Sequence, residues 1–241
     1  MSSVRVFEAN FNHFKNSLSS TIAKLDSKAV VRMPTKWIID EQLSDDSNKL
    51  IRPSEPFSLT SISQKGNAGS KRICAYLDGY IRISGKDERK IKIDRYCTEV
   101  LYCYPVSSVD YKNLKVSSGF HFDFDVDVQP AHPIFHMQHD NTVLNEKVIE
   151  RVTSLTPQLG ENRLFRVPTS QMDILSALVM IVADHFVDKS SKKECDTFHK
   201  MLDLIEKYMV IADFSLCKQN LRKTMNSENT LYSINWYSCP Q

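Results

Sequence analysis

Apolar and polar residues alternate most strictly from Gly119 to Val128, which reads GFHFDFDVDV, and HPIFHMQHD follows across Gln129, Pro130 and Ala131. A period of two belongs to a strand with one dry face and one wet face. The spacing therefore predicts a hairpin of strands at about 119–128 and 133–139, with Phe120, Phe122 and Phe124 in the core. Between Lys71 and Val106 the runs RICAYL, GYIRIS, RKIKIDRYC and EVLYCYPV alternate in the same way. Asp78-Gly79 and Gly85-Lys86-Asp87 divide them, so they predict an antiparallel meander. AVVRMPTKWIID at 29–40 has the same β-branched character, is broken by Pro34 and suits a sheet edge. Ser, Asp, Asn, Pro and Gly crowd residues 41–70, which predicts a long loop there.

The period changes at both ends of the chain. Phe7, Phe11, Phe14, Leu18, Ile22 and Leu25 recur at three- and four-residue steps, which predicts an amphipathic helix over about 4–25 with an aromatic stripe. Ile174, Leu175, Leu178, Ile181, Val182, His185 and Phe186 fit one helical face, with Ser170 as the expected N-cap. Ser191 and Glu194 have the spacing of a capping box before a second helix that buries Phe198, Met201, Leu202, Ile205 and Met209. A shorter helix is expected near 213–225. Strands followed by helices indicate an α+β fold, an antiparallel β-sheet packed against C-terminal helices and preceded by an N-terminal amphipathic helix. The expected organisation is a single domain over 1–241, with the helix in 1–28, mainly antiparallel sheet in 29–140 around a loop at 41–70, and mainly helix in 141–241.

Composition narrows the function classes. With 241 residues, 41% hydrophobic and 25% charged, the chain can bury a sizeable core, which excludes collagen, disorder and coiled coil. A net charge of +2 gives no whole-molecule field for nucleic acid or an anionic membrane. Any basic site must be local, and Lys86, Arg89, Lys90, Lys92 and Arg95 offer one along a strand edge, where they equally discourage strand pairing. Six cysteines without a Cys-x-x-Cys pair read as reduced thiols. The first residues lack a signal peptide's apolar core and no run approaches the ~18 apolar residues of a spanning helix, so the expectation is a cytoplasmic protein with no membrane contact.

The candidate chemistry sits on the strictest strand. Alternation places His121, Asp123, Asp125 and Asp127 on one face, and the returning strand offers His132, His136 and Gln138, with His139 and Asp140 close behind. Imidazole and carboxylate together suit Zn, Mn or Fe, and with fewer nitrogens Mg. His121, Asp123 and His136 are thus candidate metal ligands, and His121, Asp123, Asp125 and His136 candidate catalytic residues. The competing readings are a solvated acidic face, cross-strand His–Asp hydrogen bonds that fix register, and an acidic surface for a partner. No catalogued metal spacing such as His-Glu-x-x-His occurs among these residues. Arg166 leaves an extended segment shortly before a helix, where it suits either an anion or a structural pairing with the Asp123–Asp127 row. Asp78 with Glu88-Arg89-Lys90 has the spacing of a nuclease hairpin, but Gly85-Lys86-Asp87 makes it a charged turn.

The succession His121-Phe-Asp-Phe-Asp125, His132-Pro133-x-x-His136-x-Gln138 and Arg166-x-Pro168-Thr169-x-x-Met172-Asp173, leading to His185-Phe186, resembles a family of small uncharacterised bacterial proteins. The resemblance covers residues of about 119–187. It implies a place among components of toxin or anti-phage systems and assigns no catalytic residue. The expected function is accordingly a non-catalytic subunit or interaction protein of a bacterial multi-protein anti-phage or toxin-type system. Its partners would be other protein subunits, with nucleic acid reached only through a partner or the local basic edge. The alternative is a metal-dependent hydrolase, a nuclease or phosphodiesterase, using the His/Asp cluster and a divalent metal.

Overall fold

Odd and even positions of the segment Arg72–Ser84 carry different chemistry, and one long strand uses the difference to build both sides of a sheet. Ile73, Ala75, Leu77, Ile81 and Ile83 are buried against helices, while Cys74, Tyr76, Asp78, Tyr80 and Arg82 occupy the other face. In the computed structural model, which describes residues 3–45, 48–63, 72–84, 92–105, 114–125, 135–139, 152–154, 166–168 and 172–208, ten strands form one sheet. They are β1 (Val30–Arg32), β2 (Trp37–Asp40), β3 (Asn48–Pro53), β4 (Phe57–Ser63), β5 (Arg72–Ser84), β6 (Lys92–Pro105), β7 (Leu114–Asp125), β8 (Phe135–His139), β9 (Val152–Ser154) and β10 (Arg166–Pro168). The principal order is β1-β4-β5-β6-β7-β8-β10; β3 also pairs β5 and carries β2, and β9 runs parallel to β7. The other pairings are antiparallel.

Three helices lie on the inner face: α1 (Ser3–Leu25), α2 (Ile174–His185) and α3 (Lys192–Tyr208). The aromatic stripe of α1 is core. Phe7 and Phe11 meet the Trp37 ring edge-on at 4.9 and 5.3 Å, and Phe11 meets Phe57 at 5.9 Å. Met201 of α3 joins the same apolar cluster. The Tyr96 hydroxyl accepts the Met172 N–H at 2.7 Å and so ties the chain before α2 to β6. A smaller cluster of Cys74, Tyr76, Leu101, Cys103, Leu114 and Val116 fills one end of the outer face. Burial and then the neighbouring Cys74 push the Cys103 thiol up to about 12, so it packs as a small apolar group. No helix of the described residues is long and apolar enough to cross a membrane.

The α+β class, the N-terminal helix and the β7–β8 hairpin agree with expectation, with Phe122 and Phe124 buried and Phe120 partly so. The expected loop at 41–70 is a correction, because β3 and β4 lie inside it and bring Ile51, Phe57, Leu59 and Ile62 to the core. Their alternation is hidden by Pro53 and by a bulge between Leu59 and Ile62, where Ser61 takes φ 61° and Arg72 Nη1 donates to its carbonyl. Residues 141–241 are also less uniformly helical than expected, since β9 and β10 fall there. The helix expected near 213–225 lies outside the described residues. The cap of α2 is Asp173, whose carboxylate accepts from Leu175 and Ser176 N–H, and not Ser170. Half of the capping box forms: Ser191 Oγ accepts the Glu194 N–H, but the Glu194 carboxylate turns to the Asp188 N–H. Asp78-Gly79 is no turn. Gly79 sits within β5 at φ +138°, and a Cβ there would stand 2.0 Å from the Cys97 carbonyl oxygen. The glycine lets β6 approach β5 closely.

Two expectations follow from these contacts. Gly79→Ala combines that clash with an unfavourable φ and should destabilise by about 2–3 kcal/mol, measured by urea unfolding with an unchanged m-value. Asp26 closes the end of α1: its carboxylate accepts the Lys28 N–H at 3.0 Å, and the Ser63 N–H and hydroxyl at 3.2 and 2.9 Å. Burial would raise its pKa, but these hydrogen bonds and nearby Arg72 outweigh burial and hold it below the ordinary carboxylate value. A carboxyl lowered on folding stabilises above its unfolded pKa and loses that contribution as pH falls through the folded one. Asp26→Asn should therefore be less stable at neutral pH and lose less stability than the parent below about pH 4, as read from unfolding midpoints across the acid range.

Candidate metal centre

β7 lies between β6 and β8, and the register turns the outer face into transverse rungs. Residues directly opposed across antiparallel strands share a face. One rung runs Tyr80, Cys97, Asp123, His136 across β5, β6, β7 and β8, with Pro168 of β10 next in line. On one side of it stands Asp78, Glu99, His121, Gln138, with Arg166 at the β10 position. On the other side stands Arg82, Arg95, Asp125. The outer face therefore passes from acidic, through the His/Asp rung, to basic.

Two imidazoles converge on one carboxylate oxygen. His121 Nε2 is 3.2 Å and His136 Nε2 3.6 Å from Asp123 Oδ2. One ligand atom from each of the three residues lies within 4.8 Å of the others. His136 is almost buried, with 3% of its side chain exposed; His121 shows 18% and Asp123 32%. The group is thus walled by protein on one side and reached by solvent through the carboxylate. Donors of this kind, two nitrogens and one oxygen, are those of a Zn, Mn or Fe site.

The electrostatics favour an ionised Asp123. Burial alone would raise its pKa, but hydrogen bonds from His121 and from the Cys97 thiol, with the two imidazoles nearby, outweigh burial and hold the carboxyl below its ordinary value. The thiol shows the converse. Burial, then the Asp123 carboxylate it donates to, and then Glu99 push Cys97 far above the ordinary thiol range, against a smaller opposing effect of Arg95. Cys97 is a proton-bearing donor that orients Asp123, not a nucleophile.

Of the residues singled out from sequence, the structure brings His121, Asp123 and His136 together. Asp125 stands two residues further along β7, in register with Arg95 and beyond the rung that holds the cluster. Arg166 is on β10 opposite Gln138, with β8 between it and the Asp row, a place set by strand pairing more than by the start of α2. His139 falls opposite Phe120, off the rung of the cluster. His132, Asp127 and Asp140 lie outside the described residues. Reading the hairpin as two strands missed the third: Cys97 and Glu99 come from β6, and Tyr80 from β5. The alternation of RYCTEV signals that Arg95, Cys97 and Glu99 share a face, but not which strand they meet.

A protonated, partly covered thiol gives a direct check. Cys97 is expected to resist iodoacetamide at about pH 8 in the folded protein and to react on unfolding, as followed by mass spectrometry of the labelled peptides; rapid labelling in the native state would contradict the hydrogen bond to Asp123.

Comparison with protein-family models, with curated proteins and with solved structures returned no match, so the chemistry of the cluster rests on its own geometry.

Proposed function

We propose that this chain is a metal-dependent hydrolase in which His121, Asp123 and His136 hold one divalent transition-metal ion. The observation that carries the reading is the spacing of the donors. Ligands about 2.1 Å from a tetrahedral ion stand about 3.4 Å from one another, and the two His–Asp separations, 3.2 and 3.6 Å, bracket that value. Two nitrogens favour Zn, Mn or Fe over Mg or Ca. A cation on three protein donors keeps a position for water and brings the pKa of that water towards neutrality.

The protein's own groups have separable tasks. Asp123 supplies the negative charge, and its partial exposure leaves the approach open. Almost buried His136 fixes the donor set against the sheet, and the Cys97 thiol holds the carboxylate in place. The aromatic stripe of α1 lies against Trp37 and Phe57, so it packs within the chain.

The test is elemental analysis of the native protein after gel filtration, paired with hydrolytic assays before and after chelation. About one transition-metal ion per chain is expected, with activity lost on chelation and restored by the metal. Asp123→Asn should lower both metal content and turnover while the circular dichroism spectrum stays that of the parent. A metal-free native protein that Asp123→Asn destabilises by about 3 kcal/mol would show the carboxylate to be a structural partner of the imidazoles and overturn the proposal.

A further inference from the structure

We infer that the open edge of β2 pairs with the same strand of a second copy of this chain, joining two sheets about a two-fold axis. The inference is independent of the proposed metal chemistry. Among the described residues β2 pairs with β3 alone, so one side of it carries no strand. Ile38, Ile39 and Leu43 are three of the five exposed large hydrophobic side chains among those residues, so unpaired backbone and apolar surface coincide at this edge. Such an edge is a template for another strand. The ends of the principal strand order are blunted: β1 is three residues long, with exposed Arg32 and then Pro34, and β10 contains Pro168, which has no N–H. β2 contains no proline.

Hydrogen bonds within the sheet decide which backbone groups of β2 face outward. The Ser54 N–H donates to the Lys36 carbonyl at 3.0 Å, and from there Trp37 is opposite Pro53, Ile38 opposite Arg52 and Asp40 opposite Leu50. Hydrogen-bonded and non-hydrogen-bonded pairs alternate along an antiparallel ladder. Lys36, Ile38 and Asp40 therefore turn their backbone groups towards β3, and Trp37 and Ile39 turn theirs to the open edge. Two details agree. Pro53, with no N–H to give, stands at the non-hydrogen-bonded place opposite Trp37. At the end of the strand Ser44 Oγ bridges to β3, donating to the Asp40 carbonyl at 2.5 Å and accepting the Leu50 N–H at 3.0 Å.

A second β2 satisfies all of these outward groups in one register. Trp37 lies opposite the partner's Ile39 and Ile39 opposite the partner's Trp37, as two hydrogen-bonded pairs, and Ile38 meets its own copy on the axis. The same register sets Lys36 against the partner's Asp40, twice by symmetry, with the Ile38 pair between. Lys36, Ile38 and Asp40 share a face and read cation, apolar, anion, a pattern complementary to its own reverse. Asp40 Oδ1 accepts the Gln42 and Leu43 N–H groups, so Oδ2 is the oxygen for the ammonium. On the other face the partner's Trp37 covers Ile39, which is 38% exposed in the single chain. The neighbouring registers of the same parity centre on Ile39 or on Trp37. They set Ile38 against the partner's Asp40, or Lys36 against the partner's Ile38, apolar against charged. Charge and backbone thus select one pairing, and a second copy of the chain supplies the matching strand.

The test is sedimentation velocity of the full-length protein up to about 200 µM, where a monomer–dimer equilibrium with a Kd of about 10 µM is expected for so small an interface. Ile39→Pro removes an outward N–H and no bond to β3, and Ile38→Lys sets two ammonium groups on the axis; each should weaken the dimer at least about tenfold. Lys36→Asp and Asp40→Lys should each weaken it alone and recover when mixed, because the mixed dimer restores both pairs of opposite charge. Circular dichroism verifies the fold of every variant, and should Asp40→Lys fail to fold, Ile39→Pro and Lys36→Asp still decide. Amide exchange gives a second readout, with protection of the Trp37 and Ile39 N–H groups rising with protein concentration. A monomer throughout the range would overturn the proposal. So would a dimer that Ile39→Pro and Ile38→Lys leave unchanged, or a mixture no tighter than its components. A monomer that instead takes an extended peptide of another protein along β2 would assign the edge to a foreign strand and equally overturn self-pairing.

Discussion

The offset between β7 and its two neighbours is the constraint on which both faces of this protein depend. With Asp123 opposite Cys97 on one side and His136 on the other, Phe122 and Phe124 enter the core and the polar residues gather outside. A slip of one residue would exchange the faces, exposing two phenylalanines worth about 1.5–3 kcal/mol each and driving Asp123 among the helices. The same offset that secures the core therefore assembles the His/Asp cluster. Packing specifies where the chemistry sits, and the cluster need not be stable on its own.

The neighbouring strand completes what the hairpin begins. β6 brings Cys97 under the carboxylate, and Gly79 lets β5 and β6 come close at the adjoining position. The thiol then acts through hydrogen bonding, because the carboxylate beside it opposes ionisation while the two imidazoles favour the carboxylate's. Asp123 and Cys97 are thus coupled: the charge on the carboxylate opposes ionisation of the thiol. A bound cation would add to this balance by favouring the ionised carboxylate.

The inner face shows how polar groups serve position in an apolar core. The Tyr96 hydroxyl fixes the segment before α2 by accepting the Met172 N–H, and Tyr102 meets His185 Nε2 at 3.2 Å near the helix end. Burial, with a smaller effect of Asp184, raises the Tyr102 hydroxyl's pKa, so it remains a neutral partner. The helix is held at both ends against strands that carry the outer rungs on their opposite sides. Rigidity on the helical side thus supports the geometry of a site that faces solvent.

The sequence by itself determined which residues share a face wherever the two-residue period is unbroken. GFHFDFDVDV and HPIFHMQHD sufficed to pair β7 with β8, and the spacing of Phe7, Phe11, Phe14, Leu18 and Ile22 sufficed for α1. Where proline, hydroxyl residues or a bulge interrupt that period, as in β3 and β4, the local signal is that of a loop, and long-range pairing with β5 overrides it. Gly79 carries the same local ambiguity, since a turn and a close strand approach both call for a residue without a side chain. Only the tertiary structure decided that Cys97 touches Asp123, that Asp125 falls in register with Arg95, and that Arg82 does so from the other side. Alternation assigns each residue to a face of its own strand; which strands become neighbours, and at what offset, is set by burial and hydrogen bonding among segments far apart in the chain.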